Sequence, residues 1–224
     1  FPLAKKKSIT KSTYIGDIII SYNFMNKPKS QNIKSFKEKE KMRRAGRSAA
    51  TILDRLCSFI RPGMSTLEVD EAGGDLMKDL GVKSACKGYR SGHRIFPSYT
   101  CLSVNDEVVH GIGVENRVLK EGDVISVDVC IREDGMIGDN CRTVPVGMVS
   151  PEVSRLLKIT EESLYLGLSQ ALHKNRIGDV SEAVQSHVEK AGFAVITNFV
   201  GHGVGRSLHE DPQNNLCPSP LLNL

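Results

Sequence analysis

Residues 121–146 read EGDVISVDVCIREDGMIGDNCRTVPV. Two apolar runs flank Glu133-Asp134-Gly135, and Asp-Gly between alternating hydrophobics signals a β-hairpin. In the first run Ile125, Val127, Val129 and Ile131 fall on one face, and Ser126, Asp128 and Cys130 on the other. A tight turn at 133–135 makes cross-strand partners sum to about 267–269 in residue number. Asp128 and Asp139 fit that sum, so the spacing predicts direct or diagonal neighbours. Two carboxylates facing each other within a sheet repel. A cation held by both offsets this, and hard oxygen ligands suit divalent metals. The alternative is a pair of solvated strand ends.

Size and composition set outer bounds. The 224 residues suffice for one large domain or two small ones. A charged fraction of 25% and an apolar fraction of 40% are ordinary for a globular chain. The net charge of +4 is too mild to imply nucleic acid, and with no tryptophan and 5% aromatics a base-stacking platform is not expected. Direct DNA binding is therefore excluded from the reading. Cys57, Cys86, Cys101, Cys130, Cys141 and Cys217 form no CxxC pair, which points to reduced thiols and a cytoplasmic protein. The early apolar run Ile18-Ile19-Ile20 is far too short to enter a membrane.

Outside the hairpin the chain alternates caps and amphipathic runs. Residues 1–34 carry Lys5, Lys6, Lys7 and Lys11 without a clear period, and are read as a disordered or non-native tail with Met25 as a plausible start. Residues 35–224 are read as one catalytic domain. Ser35 and Glu38 have capping-box spacing, and Met42, Ala45, Ala49, Ile52, Leu53, Leu56 and Phe59 follow as a helical core face. Lys41, Arg43, Arg44 and Arg47 lie off it, on a solvated side. Ser65 and Glu68 open a second helix, with Leu67, Ala72, Leu76 and Leu80 as its face and Gly73-Gly74 weakening its middle. Residues 82–97 read as loop, and 98–110 as two short strands around Asn105-Asp106. After the hairpin, Ser150-Pro151 opens a helix lined by Val153, Leu156, Leu157, Leu164, Leu168 and Leu172. Gly178-Asp179 opens another, with Asp179 and Glu182 in D-x-x-E spacing, and Phe193 to Val200 reads as a strand.

The element order thus repeats. Phe36 and Pro151 lie 115 positions apart, as do Gly63 and Gly178, which suggests an internal duplication. At that offset a second hairpin would start near residue 239, by the same repeat arithmetic.

Of six histidines, His173 and His187 read as structural and His93 carries no signal. His110 ends a strand in SVNDEVVHG (103–111). His202 lies in VGHGVGRSLHEDPQ (200–213), where glycines permit close backbone approach, and His209 follows it. These stretches, with GDVISVDVCIREDGMIGD (122–139), EKMRRAGRSAA (40–50) and RPGMSTLE (61–68), resemble the type I methionine aminopeptidases over residues 35–213.

The resemblance implies an α+β pita-bread fold of two pseudo-symmetric halves, and removal of N-terminal methionine from nascent proteins when the second residue is small. It implies two divalent ions (Co, Mn, Fe or Zn), with Asp128 chelating one, Asp139 bridging both and His202 ligating the second. His110 and His209 would contact the substrate peptide and the tetrahedral intermediate. Cys86, Tyr89 and Cys101, with Phe96 and Leu208, would line the methionine slot. Ribosome association follows as an expectation for an enzyme acting where nascent chains emerge. The family completes its site with two glutamates, yet no Glu follows Glu210 and the last residues read NNLCPSPLLNL (214–224). The expectation is therefore a second half and a C-terminus that are incomplete, and an impaired enzyme. The alternatives are another pita-bread peptidase, specific for X-Pro, and a fragment acting as a binding module.

Overall fold

The computed structural model describes residues 3–5 and 33–215. The Met25 start, Cys217 and the residues from 216 onward lie outside the described residues, as does the 1–34 tail except for Leu3–Lys5, Ile33 and Lys34. The elements in order are β1 (Leu3–Lys5), α1 (Phe36–Phe59), α2 (Thr66–Asp79), β2 (Lys83–Ser84), β3 (Arg90–Ser91), β4 (Arg94–Ile95) and β5 (Cys101–Val104). They continue with β6 (Val124–Glu133), β7 (Met136–Pro145), α3 (Pro151–Ser169), α4 (Ile177–Lys190), β8 (Phe193–Val195), β9 (Val200–Gly203) and β10 (Glu210–Asn215).

The hairpin β6–β7 is the centre. Asp134 and Gly135 turn it with φ of 49° and 81°, the two positive values of a type I′ turn. On its other edge β6 pairs antiparallel with β5 over 125–128 and with β2 over 131–132. Ile125, Val127, Val129 and Ile131 are fully buried, as the alternation predicts. Beneath them lies α1, capped reciprocally by Ser35 and Glu38 and burying Ala45, Ala49, Ile52, Leu53 and Leu56. Gly138 makes this contact possible: a Cβ there would stand 2.2 Å from the Ala45 carbonyl oxygen. At the hairpin tip Arg44 pairs with Asp134 at 2.5 Å, and Ser48 donates to Glu133 at 2.7 Å. Part of the basic side of α1, expected to be merely solvated, is thus bonded to the turn.

Several local expectations are corrected. The buried face of α2 is Thr66, Val69, Asp70, Gly73 and Met77, with Leu80 exposed. The two glycines are the reason: a Cβ on Gly73 would meet Thr100 at 3.0 Å, and one on Gly74 would meet the Tyr99 ring at 2.8 Å. The helix therefore turns its smallest residues toward the 98–101 segment. Residues 107–110 form no second strand; after β5 the Glu107 carboxylate accepts from Val104 N and turns the chain. The 82–97 loop holds β2 and a short hairpin, β3–β4. Phe193 to Val200 divides into β8, paired with β1, and the separate β9, paired with β10.

The second helical pair repeats the first. The starts of α1 and α3, residues 36 and 151, are 115 apart, and those of α2 and α4, residues 66 and 177, are 111 apart. In α4 the first turn is fixed three residues earlier than the D-x-x-E spacing suggests, with Arg176 N donating to Asp179 Oδ2 at 2.6 Å. On α3 only Ser163 and Gly167 are fully buried; of the expected face Val153, Leu156 and Leu157 are half-buried, with Leu156 packed against α4 and β8, while Leu164, Leu168 and Leu172 are exposed. Gly167 sits against Val184 of α4, and His187 meets Glu162 at 2.9 Å, so a small residue and a polar pair join these two helices. Among the described residues no helix is long and apolar enough to cross a membrane.

Candidate metal centre and substrate site

The hairpin register decides which side chains meet. Cys130 lies directly opposite Asp139, and Asp128 opposite Cys141. Asp128 and Asp139 are therefore diagonal rather than direct partners, one of the two arrangements the turn allowed. Cys130 stands between them, its Sγ 3.3 Å from Asp128 Oδ1 and 3.4 Å from Asp139 Oδ1. One ligand atom from each of Asp128, Cys130 and Asp139 lies within 4.8 Å of the others. Two carboxylates and a thiol converging this closely form a donor set suited to a divalent cation. Burial, then the charge of Asp139, pushes the Asp128 carboxyl up to about 7. Burial likewise raises Asp139, while a hydrogen bond from Cys130 and the nearby His202 imidazole oppose the rise. Such a pair holds protons in the absence of a cation and gives them up to one.

His202 is outside that tight group but close enough to Asp139 to affect its ionisation. It comes from β9, in a two-stranded sheet with β10. Its Nδ1 lies 3.0 Å from the Gly203 carbonyl oxygen, an acceptor only. Nδ1 is therefore the protonated nitrogen and Nε2 the available donor, the arrangement usual for a metal-binding imidazole. The rings of His202 and His209 are 4.4 Å apart. Tyr89 OH lies 3.1 Å from His209 Nδ1.

The 203–210 segment is tied to both the hairpin and α1. Ile137 N donates to Gly205 O at 2.8 Å, and Arg132 donates to Arg206 O at 2.9 Å. Arg206 pairs with Glu38 at 2.6 Å, and Lys34 with Glu210 at 2.5 Å. The Glu210 carboxylate also accepts from the backbone of Arg206 and Ser207. Gly205 leaves room for this, since a Cβ there would strike Lys34 and Glu210.

His110 approaches from the turn after β5 with φ of 61°, a left-handed conformation uncommon outside glycine. Packing disfavours its charged form and lowers its pKa, with the nearby Cys86 opposing. Burial, then His202 and His110, lowers His209 as well. Both imidazoles are held neutral over a wider pH range than free histidine.

Beside the carboxylates Cys86, Cys101 and Cys130 form one buried cluster, with Ala85, Phe96 and Leu208 packed against it. Hydrogen bonds from the thiols of Cys101, then Cys130, lower Cys86 to about 4. The same Cys86 contact raises the other two. Cys101 pairs in register with Asp128, so the thiol cluster and the carboxylates share one face of the sheet. The residues between Cys86 and Phe96 form β3–β4, with Phe96 N donating to Tyr89 O at 2.9 Å. That hairpin returns Phe96 to the cluster.

Two contributors were not singled out in the sequence. Cys130 sits on the polar face of β6, a placement the alternation had supplied without a role. Asp70, only 4% exposed, accepts from Tyr99 N, Thr100 N and Thr100 Oγ1 at 2.8–3.0 Å. It thereby fixes the segment leading into Cys101. A carboxylate on the inner face of a helix beginning Ser-Thr-Leu-Glu was the available signal.

Convergent carboxylates on a sheet, glycine-bordered histidines and a buried thiol cluster fit a metal-dependent hydrolase. Residues 40–221 match the model of metallopeptidase family M24, and the chain belongs to that family. It is 45% identical to methionine aminopeptidase 1 of Bacillus subtilis over 172 residues, 77% of this chain and 67% of that protein. It is 38% identical to the methionine aminopeptidase of Escherichia coli K12, over 81% of this chain and 68% of that one. The crystal structure of methionine aminopeptidase from Thermotoga maritima superposes with a TM-score of 0.79 at 40% identity, covering 86% of this chain and 76% of that chain. Prolidase from Pyrococcus furiosus, at 20% identity and a TM-score of 0.73, shares the fold. The fold is the α+β pita-bread fold, and the family's chemistry depends on divalent metal. The donor set at Asp128 and Asp139 fits such an ion.

Proposed function

We propose that this chain is a methionine aminopeptidase that releases N-terminal methionine from nascent proteins whose second residue is small. The supporting observation is the juxtaposition of the Asp128–Cys130–Asp139 group with a slot of Cys86, Cys101, Phe96 and Leu208 on one sheet face. A methionine side chain is long, flexible and polarisable, and soft sulfur-lined apolar walls suit it. Tyr89 links that slot to His209, its N donating to Cys86 O and its hydroxyl lying 3.1 Å from His209 Nδ1.

Asp128 and Asp139 would hold the divalent metal, with His202 Nε2 as the further donor that supports a pair of ions, Co, Mn, Fe or Zn. When bound, such ions lower the pKa of a water and polarise the scissile carbonyl. The chain's own residues do the rest. With Tyr89 OH as donor to His209 Nδ1, 3.1 Å away, His209 would present Nε2–H to the substrate. His110, rigid on its left-handed backbone, offers a second imidazole. Neutral imidazoles stabilise a developing oxyanion by hydrogen bonding and can pass a proton to the leaving amine, contributing about 10²–10⁴-fold for acid–base assistance. We place the enzyme in the cytoplasm, consistent with the free thiols of Cys57, Cys86, Cys101, Cys130 and Cys141. Ribosome docking would draw on the exposed Lys37, Lys39 and Arg47 of α1, since Arg44 and Lys41 bond to Asp134.

The test is hydrolysis of Met-Ala-Ser with added Mn²⁺ or Co²⁺, run beside an Ala-Pro dipeptide. Metal-dependent release of free methionine, abolished in Asp139→Ala, is expected. Preferential cleavage of the Ala-Pro bond would overturn the assignment.

A further inference from the structure

We propose that Cys130 is a thiolate ligand to the ion held by Asp128 and Asp139, giving this centre one soft donor beside its hard oxygens. The inference rests on the metal-centre reading above and deepens it.

Placement comes first. The register sets Cys130 directly across from Asp139 and two residues from Asp128, on the face they share. It is 5% exposed.

Distances come second. With metal–oxygen bonds of about 2.1 Å and metal–sulfur bonds of about 2.3 Å, ligands at right angles stand about 3.1 Å apart, and tetrahedral ones about 3.6 Å. The two sulfur–oxygen separations are 3.3 and 3.4 Å. They fall within the edges of one coordination polyhedron.

A cation at the centre of the three atoms would take all three as ligands. On binding, the S–H bond breaks heterolytically, its proton passes to solvent, and the electron pair left on sulfur is donated to the ion. No oxidation state changes. Sulfur ligation shifts preference toward Zn²⁺, Co²⁺ and Cd²⁺ and away from Mg²⁺ and Mn²⁺.

The test is titration of Co²⁺, under anaerobic conditions, into the chelator-treated full chain. Visible ligand-field bands report cobalt in the site, and a near-ultraviolet thiolate-to-cobalt charge-transfer band reports sulfur bonded to it. Both are expected in the parent chain. Cys130→Ser should lose the charge-transfer band and keep the visible ones, while Cys86→Ser and Cys101→Ser keep both. Cys130→Ser should also weaken Cd²⁺ binding by roughly tenfold or more relative to Mn²⁺, the scale of changes near a metal's ligands. Visible bands without a charge-transfer band in the parent chain overturn the proposal while leaving the metal centre standing, whatever the folding of the variants. A charge-transfer band that survives Cys130→Ser and vanishes in Cys86→Ser overturns it in favour of Cys86. Absence of both bands removes the metal centre and this inference together.

Discussion

Asp128 carries a measurable consequence of its surroundings. Burial, then the Asp139 charge, raises it from an ordinary 3.8 to about 7. Between those values the folded metal-free chain binds more protons at this site than the unfolded chain does. Its contribution to stability is therefore present below about pH 4 and lost as pH rises through about 7. His110 and His209, both lowered, act in the opposite sense, so the readout is a difference between variants. In chelator, the Tm of Asp128→Asn should gain on the parent between pH 5 and pH 7.5, and saturating divalent metal should cancel that gain. A pH-independent difference would mean the carboxyl is not held protonated. Asp70 invites a simpler prediction. Removing its carboxylate in Asp70→Ala strands two backbone amides and a hydroxyl, which should cost about 3 kcal/mol in urea unfolding. That the two aspartates are neighbours was legible from the turn arithmetic; that they converge rather than sit at solvated strand ends was not. Nor was Cys130, because alternation says which face a residue occupies and not what it meets there. Asp70 was hidden because its partners are backbone groups about 30 positions away in sequence.

Two glycines of the hairpin separate conformational from steric roles. Gly135 has φ of 81° with nothing within 4 Å of an added Cβ, so Gly135→Ala should cost about 1 kcal/mol through backbone strain alone. Gly138 lies against the α1 backbone at Ala45. Gly138→Ala must push helix and hairpin apart, and about 3 kcal/mol is expected, the upper part of the range for overpacking. Chemical denaturation of both variants checks the order; a costlier Gly135 change would contradict the close approach. The hairpin could be read because period-two alternation and an Asp-Gly turn agree with each other. The face of α2 was legible in part: Ala72 and Leu76 pack against the core, whereas Gly73 and Gly74 count as weak helix formers in sequence and in the fold their lack of side chain is what the contact uses. The break of the 193–200 strand follows from β8 and β9 joining different partners, which no local pattern encodes.

At the scale of the molecule the apolar interior is unevenly divided. The larger cluster spans α1, α2 and the β5–β7 sheet, while a small one of Val184, Val188 and Phe193, with Leu156 and Ile159 of α3 packed against it, joins α3, α4 and β8. Local opening should follow this division. Hydrogen exchange is expected to protect the amides of α1 and β6 most and those of α3 least, and equal protection would contradict it. Likewise Ile52→Ala should cost about 2–5 kcal/mol, and Leu168→Gln less than about 0.5 kcal/mol. The repeat of the helical pair was visible as a spacing of 115, which holds for α1 and α3, whereas α2 and α4 start 111 apart. The exposure of the C-terminal half of the α3 face was not visible, because an amphipathic pattern promises a partner without naming one. The proposed chemistry depends most on a metal seated where the two diagonal aspartates converge. An anomalous-scattering map from crystals grown with Co²⁺ tests this directly. The expected result is a peak bonded to carboxylate oxygens of both Asp128 and Asp139. Peaks confined to other residues, with the two aspartates touching no metal, would contradict it.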